Sequence, residues 1–488
     1  MAQYSIKGEL LIRNATVYDG SGDNAVQQDV LVSANKIVAL GQFADDVADY
    51  CIDASGLALA PGFIDVHTHD DIEVIRNPAM LTKISQGVTT VVVGNCGISA
   101  SPVQLTKPVP DPLNLLGRDN EFVFSELSDY IAAVDQANSA VNVVALVGHT
   151  ALRAQVMNRL DRAATDTEID AMRTKLKKAL NQGAKGLSSG LAYQSAHSAT
   201  SGEVEALASE LNAYQAVYTT HLRTEFDGIL HAMDEAFTLG RNVDVPVVIS
   251  HLKCAGKTNW GRSKQVLAHL QQAQQTQHIG CDCYPYSASS STLDLGQVTA
   301  DFDIVITWSD PHPEQAGQTL QEIAERWQMS LLETAEKLQP AGAVYHGMDE
   351  ADVQTFLQFP GSMIGSDGLP CDPSPHPRLW GTFPRVLGHY ARQQGLFSLA
   401  QAVRKMTGLS ATEFQLQQRG FIKPDYYADL VLFDPHTIKD KASYTDPKQI
   451  AEGILMVWVN GQLSYNTTNQ HQALGLGRGG RFLKHQQR

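Results

Sequence analysis

The spacing of hydrophobic and polar positions divides the chain into two similar ends and a different middle. In both ends, short apolar or β-branched runs alternate with turn residues, and Asn460-Gly461 follows such a run as a strong hairpin signal. We therefore predict that residues 1–61 and 414–488 together build one small β-sandwich domain. The runs that predict strands cover residues 10–12, 15–18, 29–32, 36–40, 428–433 and 453–459.

The middle of the chain alternates short apolar runs with longer amphipathic stretches, which is typical of βα units around a parallel sheet. Helical spacing is clearest in residues 168–180, 203–211 and 263–275. Eight such units predict an α/β fold, a (β/α)₈ TIM-like barrel over residues 62–413. The predicted barrel strands cover residues 63–67, 89–93, 141–147, 186–189, 216–220, 245–250, 279–284 and 363–366.

The connection between the seventh and eighth predicted strands is much longer than the others. It covers about residues 287–345 and contains a Pro-rich turn at 309–313 and a helical segment at 314–338. A connection of this length inside a compact domain is usually functional or carries structure of its own. We therefore predict an inserted subdomain that lies over the barrel mouth.

Composition narrows the classes of partner. The chain has 488 residues, with 37 basic and 52 acidic side chains and a formal net charge of −15. This balance argues against a nucleic acid or an anionic membrane as partner. Six cysteines and an N-terminus without a secretory pattern predict a cytoplasmic protein with free thiols. The oligomeric state stays open, and a monomer is compatible with the sequence.

Candidate metal ligands stand at the ends of four predicted barrel strands. His67 and His69 end the first strand, and alternate residues of a strand share a face, so both imidazoles can reach one metal. Cys96 follows the second strand, His221 the fifth and His251 the sixth. Each of these residues alone could be an ordinary core residue. Together, thiolate and imidazole form a zinc-type ligand set at the catalytic end of the barrel.

Charged residues extend this predicted site. Asp367 stands between small residues at the end of the eighth strand, where packing gives no reason for a carboxylate. Arg223 and Lys253 follow two strand-end histidines by two residues and would suit a substrate carboxylate. Pairing with nearby acidic residues is the alternative, which stays equally open for Arg223 and is less favoured for Lys253.

Other residues that could take part in metal binding or catalysis are interpreted as structural. Cys281 and Cys283 alternate on the seventh strand, where core filling is favoured over a metal pair. His149 ends the third strand without a partner motif, so we interpret it as structural. Phosphate-binding, dinucleotide-binding and Gly-x-Ser-x-Gly signatures are missing from the sequence.

With these residues, the sequence resembles the amidohydrolase superfamily and, within it, the D-aminoacylase (N-acyl-D-amino-acid deacylase) family. The resemblance covers essentially the whole chain. A predicted fourth strand without a Lys or Glu at its end, together with Cys96, distinguishes this branch from many binuclear amidohydrolases. The resemblance is carried by residues 14–20, 60–69, 94–97, 188–193, 249–253, 365–370, 375–378 and 381–385.

The resemblance implies a ligand set and a catalytic group. Cys96, His221 and His251 would hold one tight zinc ion, and His67 and His69 would form a second, weaker site. The family reaction would be zinc-dependent hydrolysis of N-acyl-D-amino acids to a carboxylate and a free D-amino acid. In it, a metal-bound hydroxide attacks the amide. Asp367 would serve as general base and then as general acid.

The resemblance also implies substrate contacts. Tyr193 and Lys253 would bind the substrate α-carboxylate, and Tyr345 and Met348 would line an apolar side-chain pocket. Arg378 could instead favour an acidic side chain. Two other functions remain as alternatives: another amidohydrolase, such as a dihydropyrimidinase or a dipeptidase, and a non-catalytic scaffold of the same fold.

Overall fold

A parallel eight-stranded barrel forms the centre of the molecule. The computed structural model describes residues 7–106, 108–468 and 476–485. All eight predicted barrel strands are confirmed, with ends that differ by one or two residues, and consecutive strands pair in order. Barrel strands 1 to 8 are Phe63–Asp65, Val88–Val93, Asn142–Gly148, Gly186–Gly190, Val217–His221, Val247–Ile249, Ile279–Cys283 and Ser362–Ile364.

The barrel closes just beyond the ends of strands 1 and 8. Thr68 and Gly368 form a parallel bridge there, and the Asp367 amide donates to the His67 carbonyl oxygen at 2.8 Å. We call residues 65–70 and 365–368 the closing seam. Because these segments lie at the carboxyl ends of the strands, the seam belongs to the face on which barrel enzymes place their chemistry.

Helices between the strands cover the barrel, and local sequence fixes their limits. Asp166–Gln182 begins after a Thr165/Glu168 capping box and ends at Gly183, whose φ of 115° suits a glycine. No helix within the described residues is long and apolar enough to cross a membrane. The other helices of at least eight residues outside the insertion are Leu127–Ala137, His149–Val156, Ser201–Ala208, Ile229–Val243, Ser263–Gln274, Glu350–Gln358, Arg378–Arg385 with its continuation Val386–Gln393, and Leu399–Met406.

The two ends of the chain meet in one eight-stranded sheet. Ala58–Pro61 joins them, because it pairs with Gly8–Val17 on one side and with Leu430–Phe433 on the other. The sequence predicts two strands where Gly8–Val17 is one, since a bulge lies near Asn14. Asn460 and Gly461, both with positive φ, form the predicted hairpin turn. The remaining strands are Val26–Ser33, Lys36–Gly41, Ala48–Asp53, Ile454–Val459 and Gln462–Asn466.

The long connection after barrel strand 7 folds as a small unit with its own core. Its three antiparallel strands are Ser289–Thr292, Ile304–Ser309 and Ala341–Tyr345, with the last strand in the centre. The predicted helical segment 314–338 is wrong as a single element. It consists of Leu320–Trp327 and Leu331–Leu338, because Gln328 adopts a left-handed conformation and ends the first helix.

Candidate metal centre

The five predicted metal ligands and Asp367 meet at the carboxyl end of the barrel. Ligand atoms of Cys96, His221 and His251 lie within 4.8 Å of one another. A second group with the same spacing shares Cys96 and adds the three other residues. Its members are His67, His69, Cys96 and Asp367. The sequence-predicted residues therefore form two overlapping groups around one thiol.

Short distances connect the members of both groups. The Cys96 sulfur lies 3.1 Å from Nε2 of His67 and 3.4 Å from Nε2 of His251. His69 Nε2 lies 3.1 Å from a carboxylate oxygen of Asp367. A single cation at this point could contact side chains from opposite sides of the barrel.

Strained backbone presents three of these side chains. Cys96, His251 and Asp367 have φ values of 53°, 36° and 49°, in the left-handed region that residues with a Cβ rarely adopt. This conformation costs on the order of 1–2 kcal/mol per residue. Such strain clusters at functional sites, where the surrounding structure holds it.

Two carboxylates that the sequence interpretation missed orient the histidines. Asp282, in barrel strand 7, lies 3.4 Å from Nδ1 of His67 and accepts a hydrogen bond from the His251 amide at 2.9 Å. Glu225, in the loop after barrel strand 5, lies 2.9 Å from Nδ1 of His251. A carboxylate at Nδ1 fixes the ring and points Nε2 toward a metal. In the sequence, only the position of Asp282 between Cys281 and Cys283 signals that it faces the barrel interior.

The electrostatics of the site favour the ionised forms of the Cys96 and Asp367 side chains. Burial by itself raises the pKa of the Cys96 thiol, but the facing imidazoles of His67 and His251 outweigh it and hold that pKa well below its ordinary value. Burial likewise opposes ionisation of Asp367. The Arg378 guanidinium and His67 outweigh burial there, so the pKa of Asp367 is also well below its usual range.

The donor set fits a zinc ion. Buried Nδ1 atoms of His69 and His221 have no hydrogen-bond partner among the described residues. Buried polar atoms without partners are rare in folded proteins, and a metal ion would give these two nitrogens a partner. A thiolate combined with imidazoles is the ligand chemistry that zinc prefers.

Arg378 is a predicted substrate residue that contacts Asp367. Its side chain is fully buried, and Nη1 lies 2.9 Å from Asp367, while Nη2 donates to the Ser290 carbonyl oxygen at 3.0 Å. The guanidinium also covers the Tyr284 ring at 4.7 Å. Its Nε atom makes no hydrogen bond within the described part of the chain. One donor therefore remains for an anionic ligand.

Lys253 and Tyr193 lie next to two of the candidate ligands, His251 and His221. The Lys253 ammonium donates to Glu225 at 2.5 Å, so the acidic pairing that the sequence made less favoured is present. The half-buried Tyr193 ring lies 5.0 Å from the ring of His221. Both residues border the metal ligands, and Lys253 shares its carboxylate with His251.

The two residues predicted to line the side-chain pocket lie in different places. Met348 packs with Tyr284 and Tyr286, beside a narrow cavity that His251 and Lys253 also line. Tyr345 is buried in the core of the insertion, where its hydroxyl donates to the Thr292 carbonyl oxygen at 2.9 Å. Met348 therefore borders the site directly, whereas the Tyr345 hydroxyl supports an insertion strand.

Arg223 pairs with an acidic side chain of the protein, which was the alternative to binding a substrate carboxylate. It forms a double hydrogen bond with Glu235 and also donates to the carbonyl oxygens of His197 and Ala199. These carbonyls belong to the segment that begins at Tyr193. Arg223 therefore holds this segment in place, and its guanidinium is already occupied by a carboxylate and two carbonyls.

The remaining interpretations concern buried side chains. His149 bonds to Glu203 at 3.0 Å, and Arg153 pairs with the same carboxylate, so this histidine belongs to a structural network. Cys281 and Cys283 are both buried in the main apolar core. Burial raises the pKa of the Cys281 thiol to about 12, which is typical of an inert core cysteine.

Comparison with known proteins matches this chain to one family over most of its length. The model of the amidohydrolase family matches residues 51–465. The D-aminoacylase of Alcaligenes xylosoxydans xylosoxydans is 48% identical over 453 residues, which cover 93% of both chains. The N-acyl-D-aspartate deacylase of the same organism is 46% identical and covers 93% of this chain and 92% of its own.

A solved structure agrees over the whole fold. The N-acyl-D-glutamate deacylase of Bordetella bronchiseptica, in complex with zinc and a phosphonate inhibitor that mimics the tetrahedral intermediate, superposes with a TM-score of 0.93. It is 42% identical and the match covers 98% of this chain and 100% of that one.

The ligand geometry predicts that Cys96→Ala removes bound zinc. We expect zinc measured by elemental analysis to fall from about one equivalent per chain to below about 0.2, because a thiolate ligand accounts for much of the affinity of such sites. Cys281→Ala is the matched control, since it removes a buried thiol outside both ligand groups. Full zinc content in Cys96→Ala would contradict the assignment of Cys96 as a ligand.

Proposed function

The chain belongs to the amidohydrolase family, in its D-aminoacylase branch, and we propose that it hydrolyses N-acyl-D-amino acids to a carboxylate and a free D-amino acid. One observation carries this proposal most directly. Asp367 lies between the group of candidate zinc ligands and the buried Arg378 guanidinium. The carboxylate of Asp367 could therefore transfer a proton to an amide at the zinc ligands while Arg378 binds an anionic group of the same substrate.

We assign the tight zinc site to Cys96, His221 and His251, and a second, weaker site to His67 and His69. A bound zinc ion supplies Lewis acidity: it polarises the amide carbonyl and lowers the pKa of water toward about 7. Asp282 and Glu225 keep the histidine rings oriented for this role through their Nδ1 contacts.

Asp367 carries the proton in both halves of the reaction. Its low pKa, caused by Arg378 and His67, keeps the carboxylate ionised at neutral pH and ready to accept a proton from the attacking water. The water oxygen bonds to the acyl carbon, and Asp367 then delivers the proton to the amide nitrogen as the C–N bond breaks. The products are a carboxylic acid and a free amine, and Asp367 is again ionised.

The cationic side chains bind the substrate α-carboxylate. Arg378 retains its Nε donor without a partner among the described residues, and Lys253 presents a nearly buried ammonium next to His251. Tyr193 closes the same region from the His221 side. When the carboxylate and the acyl carbon are both held, only one hand of the α-carbon directs its acyl group to the zinc ligands.

The surroundings favour an uncharged side chain on the amino acid. Arg378 is already paired with Asp367, and Lys253 with Glu225, so an acidic substrate side chain would compete for cations that the α-carboxylate needs. Met348, Tyr284 and Tyr286 form an apolar cluster beside these residues. We therefore propose methionine, leucine and phenylalanine derivatives as preferred substrates.

Barrel strand 4 weighs against a cyclic amide as substrate. Its last residues, Ser189 and Gly190, offer no lysine or carboxylate that could bridge two metals, and the Ser189 hydroxyl bonds to Tyr218 and Thr220. Linear amides need no such bridge if the single site at Cys96 is sufficient.

A substrate panel tests the proposed class. We expect zinc-loaded protein to release amine from N-acetyl-D-methionine, D-leucine and D-phenylalanine at least about 100-fold faster, in kcat/KM, than from the L-enantiomers. N-acetyl-D-aspartate and D-glutamate should rank lower, because Arg378 and Lys253 are paired with Asp367 and Glu225 and are assigned to the α-carboxylate. Preference for the L-series would overturn the proposed class, and preference for acidic side chains would overturn the proposed pocket.

The proposed role of Asp367 predicts the phenotype of Asp367→Asn. We expect kcat to fall by at least about 100-fold, the usual contribution of general acid–base catalysis, because an amide cannot accept the proton. Zinc content should stay near that of the wild type, since Cys96, His221 and His251 remain. Turnover at the wild-type rate with full zinc would remove Asp367 from the mechanism.

A further inference from the structure

A fully buried lysine lies beneath the closing seam. Lys83, in the short helix Leu81–Ile84, donates to Asp65 at 2.9 Å and to the Ser366 hydroxyl at 2.8 Å, and lies 3.2 Å from Asp70. All four residues are completely buried. An ammonium at such a place is unfavourable unless its partners compensate, so its contacts explain why it can be there.

The three partners of Lys83 flank residues of the metal centre. Asp65 stands two residues before His67 in barrel strand 1, and Asp70 follows the second histidine of that segment. Ser366 directly precedes Asp367 on the other side of the seam. One cation therefore contacts both segments that close the barrel, at the positions next to the reactive side chains.

The turn that carries Asp367 is strained and tied to this cation. Asp367 has a φ of 49°, and the Ser366 amide donates to Asp65 at 2.8 Å. The Ser366 hydroxyl accepts from Lys83 and also from the Gly368 amide at 3.2 Å. The left-handed conformation at Asp367 is therefore bracketed by hydrogen bonds on either side, and two of them end on groups that Lys83 contacts.

We propose that Lys83 is a positioning residue that fixes residues 366–368 against barrel strand 1 and so aims the Asp367 carboxylate. This inference rests on the proposed role of Asp367 as the proton carrier. Lys83 belongs to neither group of candidate metal ligands. It acts through the Asp65 carboxylate and the Ser366 hydroxyl, which transmit its position to the catalytic turn.

A second buried lysine provides a matched control. Lys405 is also nearly inaccessible, but it contacts the carbonyl oxygens of Phe359 and Ser362, at the start of barrel strand 8. Its ammonium therefore lies at the other end of the strand from Asp367. Loss of Lys405 costs the protein a buried cation without touching the catalytic turn.

The test compares Lys83→Met, Ser366→Ala, Lys405→Met and Asp367→Asn as full-length, zinc-loaded proteins. We expect Lys83→Met to lower kcat by about 100-fold, the effect of a displacement on the order of 1 Å, with KM within about threefold of wild type. Ser366→Ala should lower kcat about tenfold in the same manner. Lys405→Met should keep kcat within about threefold, even where its unfolding temperature falls.

A second measurement uses cobalt in place of zinc and does not depend on turnover. We expect apoprotein of Lys83→Met titrated with Co²⁺ to develop the thiolate-to-cobalt absorption band of wild type at the same stoichiometry, because Cys96, His221 and His251 lie on other strands. Retained cobalt binding with a collapsed kcat at constant KM supports a positioning role.

Three outcomes would overturn the inference. The first is a kcat of Lys83→Met and Ser366→Ala within threefold of wild type, and the second is a loss of kcat that follows a proportional loss of cobalt binding. The third is an equal loss in Lys405→Met.

If Lys83→Met does not fold, Ser366→Ala decides. Normal turnover of Asp367→Asn would instead overturn the proposed function, whereas an inactive Asp367→Asn beside active Lys83 variants removes the positioning role alone.

Discussion

The crowding of a thiolate, a carboxylate and four buried or half-buried imidazoles within a few ångströms is the constraint on which the rest of the structure depends. Anionic groups cannot stay in such a place without positive charge close by. Here the imidazoles and Arg378 supply part of it, and a zinc ion bound by Cys96 would supply the rest. Strained backbone at three residues of the group is acceptable only because surrounding contacts hold it.

The fold satisfies this constraint by placing the six groups at the ends of five strands. Barrel strands 1, 2, 5, 6 and 8 lead into the ligands and Asp367, while strand 7 contributes Asp282 from within the barrel. The insertion adds the Ser290 carbonyl that holds Arg378. The closing seam is the least regular part of the barrel, and it is the part where Lys83 replaces strand pairing with side-chain contacts.

The barrel strands and the candidate ligands were predictable because strand periodicity is strong in the sequence and places chemistry at strand ends. Asp282 was hidden between two core cysteines, and Glu225 lies in an irregular loop whose path no pattern reveals. Lys83 comes from a one-turn helix that spacing cannot predict. The sequence also left the role of Arg223 open, because its partner, Glu235, is brought to it only by the packing of the next helix.

The X-ray absorption spectrum of the zinc-loaded protein at the zinc edge tests the central claim most directly. The proposed site predicts one sulfur neighbour at about 2.3 Å, with the remaining ligands nitrogen or oxygen at about 2.0–2.1 Å. The sulfur contribution should disappear in Cys96→Ala and persist in Cys281→Ala. A first shell made only of nitrogen and oxygen in the wild-type protein would contradict the claim that the Cys96 thiolate anchors the metal centre.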